Sequence, residues 1–404
     1  MNTLVLSWRY LWSRPLAAGL NLLLMTLGLA SMTFVLLASH QLDRAFERDL
    51  AGIDVVVGAK GSPMQLILAG VFHIDVPPGN IPLADMQALA KHPQVAQLIP
   101  LSLGDSFRGF RIVGTTPAYI AHYEAQLAQG ELWAAPMQAV LGAQVAAATG
   151  LKTGDPFAGS HGLGGGGDEH AHTPYTVTGV LAPCGCVLDR LILTATESVW
   201  KVHEDMHSGE TPLDKEDQAA LEAEREVTVA LIRYTTPLAA VTFPRYVNSS
   251  TGMQSAAPAV EITRLLGMVS VGTQVLQGFG AVLLMTAALG VFIALWSAVR
   301  ERRADLAMLR MLGAPPWKVG ALLLSEALWL ALLASALGLA AGHGLTAMAA
   351  WFLQAEKSVV VHGWQWVPAE AWVPLAAAGV AVLAALLPAV SAYRVDVARL
   401  LNAR

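Results

Sequence analysis

Four long apolar runs, nearly free of charged side chains, constrain this chain more than any other feature of its sequence. They cover about residues 15–39, 271–298, 319–352 and 372–393. A helix needs about 20 apolar residues to cross the hydrocarbon core of a bilayer, and each run is long enough. Of the 404 residues, 54% are hydrophobic and only 14% are charged, against about 25% charged in an average soluble domain. The sequence therefore predicts four transmembrane α-helices.

The first run is preceded by residues 1–14, where aromatic and cationic side chains alternate in LVLSWRYLWSRP. This mixture is typical of a short helix that lies at the membrane–water interface. The apolar run itself is longer than the h-region of a signal peptide, which has about 7–15 residues. We interpret it as a retained membrane helix; the alternative is a cleaved signal peptide.

Basic side chains set the expected orientation. They outnumber acidic ones in segment 299–318, between the second and third runs, and they also flank the first run and follow the last one in the tail 394–404. By the positive-inside rule these three parts are predicted to be cytoplasmic. Segments 40–268 and 354–370 then lie on the opposite side, which is the periplasm of a Gram-negative cell. The predicted location is the inner membrane.

Segment 40–268 is far more polar than the apolar runs and is large enough for one or two compact domains. Stretches rich in Val, Ile and Thr, such as YTVTGVLA, alternate with helical stretches such as LADMQALAKH. Helical patterns at both ends of the segment predict stalks that continue the neighbouring membrane helices. The predicted fold is therefore a membrane protein whose four helices carry a large α+β extracytoplasmic domain between helices 1 and 2.

Several stretches resemble one known family. AVLGAQVAAATGLKTGDPF and YTVTGVLAPCGCVLDRLILTATESVW are similar to the periplasmic core of the MacB/FtsX-like ABC-transporter permeases. ERRADLAMLRMLGAPPWK resembles the coupling segment of that family, and PAVSAYRVDVARLLNAR resembles its C-terminal signature. The order of the pieces, with one span before the outer domain and three after it, also fits the family.

The resemblance implies that the coupling segment forms a short helix that sits in a groove of an ABC ATPase subunit. The alternative is a plain basic loop that only sets the orientation. In the first reading, leucines would face the membrane, charged side chains would meet the partner and a glycine would end the helix. The candidate ATPase-coupling residues are Arg302, Arg303, Asp305, Leu306, Leu309, Arg310, Leu312 and Gly313.

The chain carries no GxxxxGK[ST] motif for binding ATP phosphates, so it is predicted not to be an enzyme, with ATP bound by a separate subunit. The resemblance implies a second copy of the permease or a related chain, and mechanotransmission to a periplasmic or lipoprotein partner. The alternative is a regulator that transports nothing. A membrane-bound metalloenzyme is disfavoured because no HExxH motif is present. Besides membrane lipid, no further partner is indicated, and a net charge of −5 argues against nucleic acid.

A histidine-rich loop, SHGLGGGGDEHAHTPY, interrupts the part that resembles the periplasmic core. Imidazoles and carboxylates are good zinc ligands, but their spacing here fits no closed tetrahedral site. The loop is either a zinc site, which would make zinc the only candidate cofactor of the chain, or a solvated insertion. The candidate ligands are His161, Asp168, Glu169, His170 and His172.

Three further features leave their roles open. Glu326 and His343 lie in the third run, and ionisable side chains inside a membrane are candidates for function, although pairing or a local hydrogen bond would also explain them. Residues 58–80 combine an apolar stretch with His73 and Asp75, and they form either a contact surface or part of the core. Cys184 and Cys186 are too few for a disulfide framework.

Overall fold

A computed structural model describes residues 3–162, 173–207, 222, 224–302, 308, 310–355 and 363–393. The α-helices of this part are α1 (Thr3–Leu11), α2 (Pro15–Leu50), α3 (Pro63–Gly70), α4 (Leu83–Ala90), α5 (Pro117–His122), α6 (Ala143–Thr149), α7 (Thr196–His207), α8 (Ala239–Ser250), α9 (Pro258–Glu301), α10 (Pro316–Ala355) and α11 (Trp372–Tyr393). Short 3-10 helices cover Val187–Arg190 and Pro368–Ala371.

The strands are β1 (Val55–Ala59), β2 (Ile81–Pro82), β3 (Val95–Phe107), β4 (Phe110–Thr115), β5 (Leu127–Gly130), β6 (Gln138–Leu141), β7 (Pro156–Phe157), β8 (Ser160–His161), β9 (Tyr175–Leu181), β10 (Leu191–Ala195), β11 (Glu226–Val227), β12 (Val229–Tyr234) and β13 (Met253–Ala256). Two compact units contain these elements. The membrane unit is formed by Met1–Leu42 and Met268–Arg404, and the outer unit by Asp43–Gly267.

Four helices of the described chain are long and apolar enough to cross a membrane, which confirms the predicted number. They cover Pro15–Leu50, Pro258–Glu301, Pro316–Phe352 and Pro368–Tyr393, with mean hydropathies of 2.1, 2.3, 1.9 and 2.3. The first two are longer than the predicted runs, because α2 continues through HQLDRAFERDL and α9 begins at Pro258. The chain is therefore an integral membrane protein.

Small residues let the membrane helices approach closely. Gly338 and Gly342 on α10 form a GxxxG pattern that faces α2. A Cβ atom at Gly342 would lie 2.5 Å from the Cβ of Thr33, and one at Gly338 would lie 2.6 Å from the Cβ of Leu29. Where lipid is as apolar as the side chains, such close packing is a main source of helix association.

The outer unit contains one mixed sheet with the strand order β13-β1-β12-β3-β4-β10-β6-β9-β5, and β7 and β8 pair with β9 and β3. The β4–β10 and β6–β9 pairs are parallel and the other pairs of the sheet are antiparallel. β2 and β11 form a separate two-stranded sheet. The mixture of helices and strands confirms the predicted α+β fold.

Apolar side chains are buried on both faces of this sheet, because successive residues of a strand point to opposite faces. On β1, Val56 belongs to a core cluster with Leu66 of α3, whereas Val55 and Val57 belong to another cluster with Phe243 of α8. Helices therefore cover both faces near β1. The apolar clusters on the two faces thus hold β1 between α3 and α8.

We predict that Gly142→Ala destabilises the protein by about 1–3 kcal/mol, the usual cost of forcing extra atoms into a packed site. A Cβ atom at Gly142 would lie 2.1 Å from the carbonyl oxygen of Leu188 and 2.5 Å from the carbonyl carbon of Asp189, both backbone atoms. Gly252→Ala is the matched control, since its Cβ would meet nothing within 4 Å. Chemical unfolding of the detergent-solubilised chain, followed by circular dichroism, measures both; equal stabilities would contradict the prediction.

Candidate functional site

The predicted coupling segment is described in part. Arg302, Arg310, Leu312 and Gly313 lie in the described chain, whereas Arg303, Asp305, Leu306 and Leu309 lie outside the described residues. The N–H of Leu312 donates to the carbonyl of Met308 over 3.0 Å, which is helical bonding. Gly313 then adopts a positive φ of 91°, two residues before Pro315 and Pro316. The segment thus ends with the glycine turn and prolines that precede α10.

Apolar side chains of this segment are exposed in the membrane unit. Leu312 is 86% exposed, and Met308, Met311 and Trp317 are each more than half exposed. Such a cluster of large apolar side chains on one short segment provides a surface for lipid or for a protein partner.

Arg302 connects three elements of the membrane unit. Its guanidinium lies 3.4 Å from the Glu326 carboxylate on α10, donates to Ser13 Oγ over 2.6 Å and donates to the carbonyl of Tyr10 over 3.3 Å. Its Cζ also lies 4.2 Å from the centroid of the Tyr10 ring, within the range of a cation–π contact. The side chains of Arg302 and Glu326 are only 15% and 6% exposed. The start of the coupling segment is therefore fixed to α10 and to the α1–α2 turn.

Glu326, one of the two predicted intramembrane polar residues, is thus one partner of a buried ion pair. The other partner, Arg302, is 24 residues away in the sequence. A buried carboxylate beside a guanidinium contributes little net stability, but it specifies how two helices fit together.

His343, the second of these residues, fixes the segment between α10 and α11. Its Nδ1 lies 2.8 Å from the carbonyl oxygen of Gly363, and its Nε2 lies 3.0 Å from Glu370 Oε2. Glu370 Oε1 also accepts the backbone N–H of Val367 over 2.7 Å, and the Trp364 ring stacks on the imidazole. Each ring nitrogen thus has a hydrogen-bonding partner. These contacts give His343 a structural role: it links α10 to Gly363 and Glu370.

The predicted zinc ligands are mostly outside the described residues, namely Asp168, Glu169, His170 and His172. His161 is described: it lies on β8, and its Nδ1 is 3.1 Å from Asp105 Oδ1 on β3. A carboxylate at Nδ1 is the usual orienting partner of a histidine that binds a metal through Nε2. Within the described residues, no group of three or more His, Cys, Asp or Glu side chains could hold a metal ion.

Cys184 and Cys186 form a disulfide in the loop between β9 and β10, which the sequence did not predict. The Asp189 carboxylate accepts the backbone N–H groups of Cys184 and Gly185 over 3.0 and 2.7 Å. Gly185 adopts a positive φ of 63°, so a residue with little steric restriction suits the turn. The only sequence signal was the Cys-Gly-Cys spacing.

Residues 71–80 form a loop whose backbone is held by buried cations. Arg190 donates to the carbonyl of Phe72 over 3.0 Å, and Arg111 donates to the carbonyl of Asp75 over 2.7 Å. Burial lowers the pKa of Arg111 to about 10, despite the opposing charge of Asp75, and lowers the pKa of Arg190. Ile74, between these anchors, is 42% exposed, and Val76, directly after Asp75, is 59% exposed. The loop therefore presents two aliphatic side chains on a fixed backbone.

His73 in the same loop is buried and neutral. Burial holds its pKa well below the ordinary value, and the charges of Arg111 and Arg190 lower it further. The ring Nε2 lies 3.0 Å from the Tyr119 hydroxyl. In residues 58–80, α3 contributes Leu66 and Ile67 to the core, as the core alternative predicts, while the loop after it is partly exposed. The contact surface stays a prediction.

Two known domains match consecutive parts of the chain. Residues 18–233, more than half of the chain, match the MacB-like periplasmic core domain, and residues 278–397 match the FtsX-like permease C-terminal domain. The first match includes most of α2 and the sheet as far as β12, and the second includes α10, α11 and the coupling segment.

Two solved structures are similar to about half of the chain. The periplasmic region of MacB from Actinobacillus actinomycetemcomitans is 12% identical, with 54% of this chain and 95% of that chain covered and a TM-score of 0.35. The extracellular domain of the noncanonic ABC-type transporter YknZ from Gram-positive bacteria is 10% identical, with 50% and 98% covered and a TM-score of 0.31. No curated protein matches the chain.

We predict that Glu326→Leu lowers the free energy of unfolding by about 3–5 kcal/mol, because it leaves the Arg302 guanidinium buried without its carboxylate. Adding Arg302→Met should recover most of this loss, since two apolar side chains then replace the pair. Glu222→Gln is the control: Glu222 pairs with Arg225 at 3.9 Å, and their side chains are 65% and 28% exposed, so less than about 1 kcal/mol is expected. Thermal unfolding in detergent measures all variants. Losses that simply add in the double variant would contradict the prediction.

Proposed function

Since this chain belongs to the MacB/FtsX-like family of ABC-transporter permeases, we propose that it couples ATP hydrolysis by a separate ATPase subunit to a change in the conformation of its outer unit. The permease component of this family spans the membrane and is generally not itself an enzyme. The proposed location is the inner membrane, with the coupling segment in the cytoplasm and the outer unit in the periplasm. Two copies, or this chain and a related one, would form the working assembly.

The contacts of Arg302 are the main support for coupling. This residue directly follows α9 and begins the basic segment that the ATPase would contact, and it is bound to Glu326, Ser13 and the Tyr10 carbonyl. A displacement of the segment would therefore act on α1, α2, α9 and α10 together. α9 has 44 residues, which corresponds to about 66 Å of helix at 1.5 Å per residue. One continuous helix of this length can carry a displacement well beyond a bilayer core of about 30 Å.

The polar groups of the membrane unit favour mechanical work over conduction. Glu326 and His343 both have partners within the unit. These pairs fix how the helices pack against one another. Since each residue has a structural partner, an ion path is not needed to explain its presence. In the proposed mechanism, ATP binding moves the coupling segment and the helices reshape the outer unit, so that no cargo has to cross the bilayer.

We predict that Arg310→Glu abolishes the association of the chain with an ATPase, because reversing a charge in the contacted segment replaces attraction by repulsion. Arg245→Glu, at an exposed position on α8 in the outer unit, is the matched control. Each variant is purified from its native membranes in mild detergent, and co-purifying ATPase is detected by labelling with azido-ATP. Wild-type levels of labelled ATPase with Arg310→Glu, or its absence from the wild-type preparation, would contradict the coupling.

A regulator of a periplasmic enzyme or lipoprotein, without transport, is the second candidate. The exposed Ile74 and Val76 on the fixed loop 71–80 favour it, because a rigid pair of aliphatic side chains suits contact with another protein. Vesicle transport and lipoprotein-release assays separate the two functions. Cargo movement that depends on ATP supports the transporter, and stimulation of a periplasmic activity without cargo movement supports the regulator.

We also propose that the histidine-rich loop serves zinc handling. The support is the Asp105–His161 contact, which has the form of an oriented metal ligand. On this basis Asp105→Asn should weaken zinc binding about 10–100-fold, the usual effect of removing an orienting partner. Equilibrium dialysis of the full chain with zinc, followed by elemental analysis, measures the affinity. Joint replacement of His161, His170 and His172 by Ala should abolish binding, whereas His92→Ala should not; unchanged binding in the triple variant would exclude the loop.

A further inference from the structure

A cavity opens among α1, α2, α9 and α10 in the membrane unit, beside the Arg302–Glu326 pair. It has a volume of about 420 Å³, including the part that is open to the surroundings. Its apolar wall includes four alanines, which leave room between the helices: Ala17, Ala18, Ala294 and Ala298.

Asn21 is a polar side chain in this otherwise apolar wall. It lines the cavity and is only 6% exposed, yet its amide has no hydrogen-bond partner among the described residues. A buried amide without a partner is costly in an apolar environment. Retaining one here therefore points to a ligand that carries hydrogen-bonding groups.

Two guanidinium groups line the same cavity. Arg14 and Arg302 belong to its lining, together with Tyr10 and Glu326. Arg14 directly precedes α2, and Asn21 lies seven residues further along the chain, which corresponds to about two helical turns or about 10 Å along the axis. The cavity thus offers positive charge at one level, an amide two turns further along α2, and apolar walls beside both.

This spatial order of guanidinium groups, amide and apolar wall matches the phosphate, glycerol esters and acyl chains of a phospholipid. Guanidinium groups bind phosphate well, and basic pockets between membrane helices suit lipid headgroups. The partly exposed Trp8 on α1 and Trp12 directly after it are typical of the headgroup level of a membrane. Soluble phosphate would use the guanidinium groups but would leave the amide and the apolar wall without contacts.

We propose that this cavity binds one anionic phospholipid from the leaflet on the side of α1. Arg14 and Arg302 contact the phosphate, the Asn21 amide donates to an ester oxygen of the glycerol, and an acyl chain packs against Ala18, Val291 and Leu295. Glu301 now pairs with Arg14, and both side chains are more than a third exposed. Such exposed pairs are weak, so a phosphate can replace Glu301 on Arg14, while Glu326 remains on Arg302. The site shares Arg302 with the proposed ATPase coupling, but lipid binding does not require an ATPase.

The test uses the full chain, delipidated in detergent and titrated with phosphatidylglycerol while thermal unfolding is followed. Arg14→Gln and Asn21→Leu are each expected to raise the half-saturating lipid concentration about tenfold, which corresponds to the loss of one good contact. Arg9→Gln is the matched control, since Arg9 is exposed and does not line the cavity. Without lipid, Asn21→Leu should be at least as stable as the wild type, because it removes a buried amide that has no partner.

Filling the cavity provides a second test. Ala294→Phe should prevent one phosphatidylglycerol from being retained in native mass spectra, whereas Ala281→Phe, at an exposed position of α9, should retain it. Unchanged titrations for Arg14→Gln and Asn21→Leu, or retention of the lipid by Ala294→Phe, would overturn the proposal. Equal stabilisation by inorganic phosphate alone, or by phosphatidylcholine, would overturn the assignment to an anionic phospholipid.

Discussion

In a lipid bilayer, contacts between apolar side chains do little to specify how helices pack against one another. This constraint explains which contacts hold the membrane unit together. Apolar side chains gain little by meeting one another in a bilayer, so the helices depend on close approach at small residues such as Gly338 and Gly342. Two polar contacts lie towards opposite ends of α10 and complete the fit. Arg302 meets Glu326 near its start, and Glu370 meets His343 near its end.

Much of this architecture could be predicted from the sequence, because the relevant signals are local. The absence of charge over more than 20 residues is visible in any window, and it identified all four spans. The stretches YTVTGVLA and DRLILTA contain β9 and β10, as predicted, because a local enrichment in β-branched residues favours a strand. Helix α8 was missed because Pro244 lies inside it and proline argues against a helix interior.

The contacts of the candidate sites were harder to predict, because their partners are distant in the sequence. The sequence made Arg302 a candidate coupling residue, but its bond to Ser13 spans 289 positions and no local pattern reveals it. The sequence made His161 a candidate zinc ligand, but it did not indicate Asp105 on β3 as its partner. Only the strand pairing of β3 with β8 brings those two side chains together.

The Cys184–Cys186 disulfide has a practical consequence for anyone who produces the outer unit by itself. Cytosolic glutathione and thioredoxin keep thiols reduced, whereas secreted and periplasmic proteins retain their disulfides. A recombinant fragment expressed in an ordinary bacterial cytosol would therefore carry two thiols in the turn that Asp189 caps. Export through a signal sequence, or an oxidising host strain, would supply the disulfide-bonded form that the structure has.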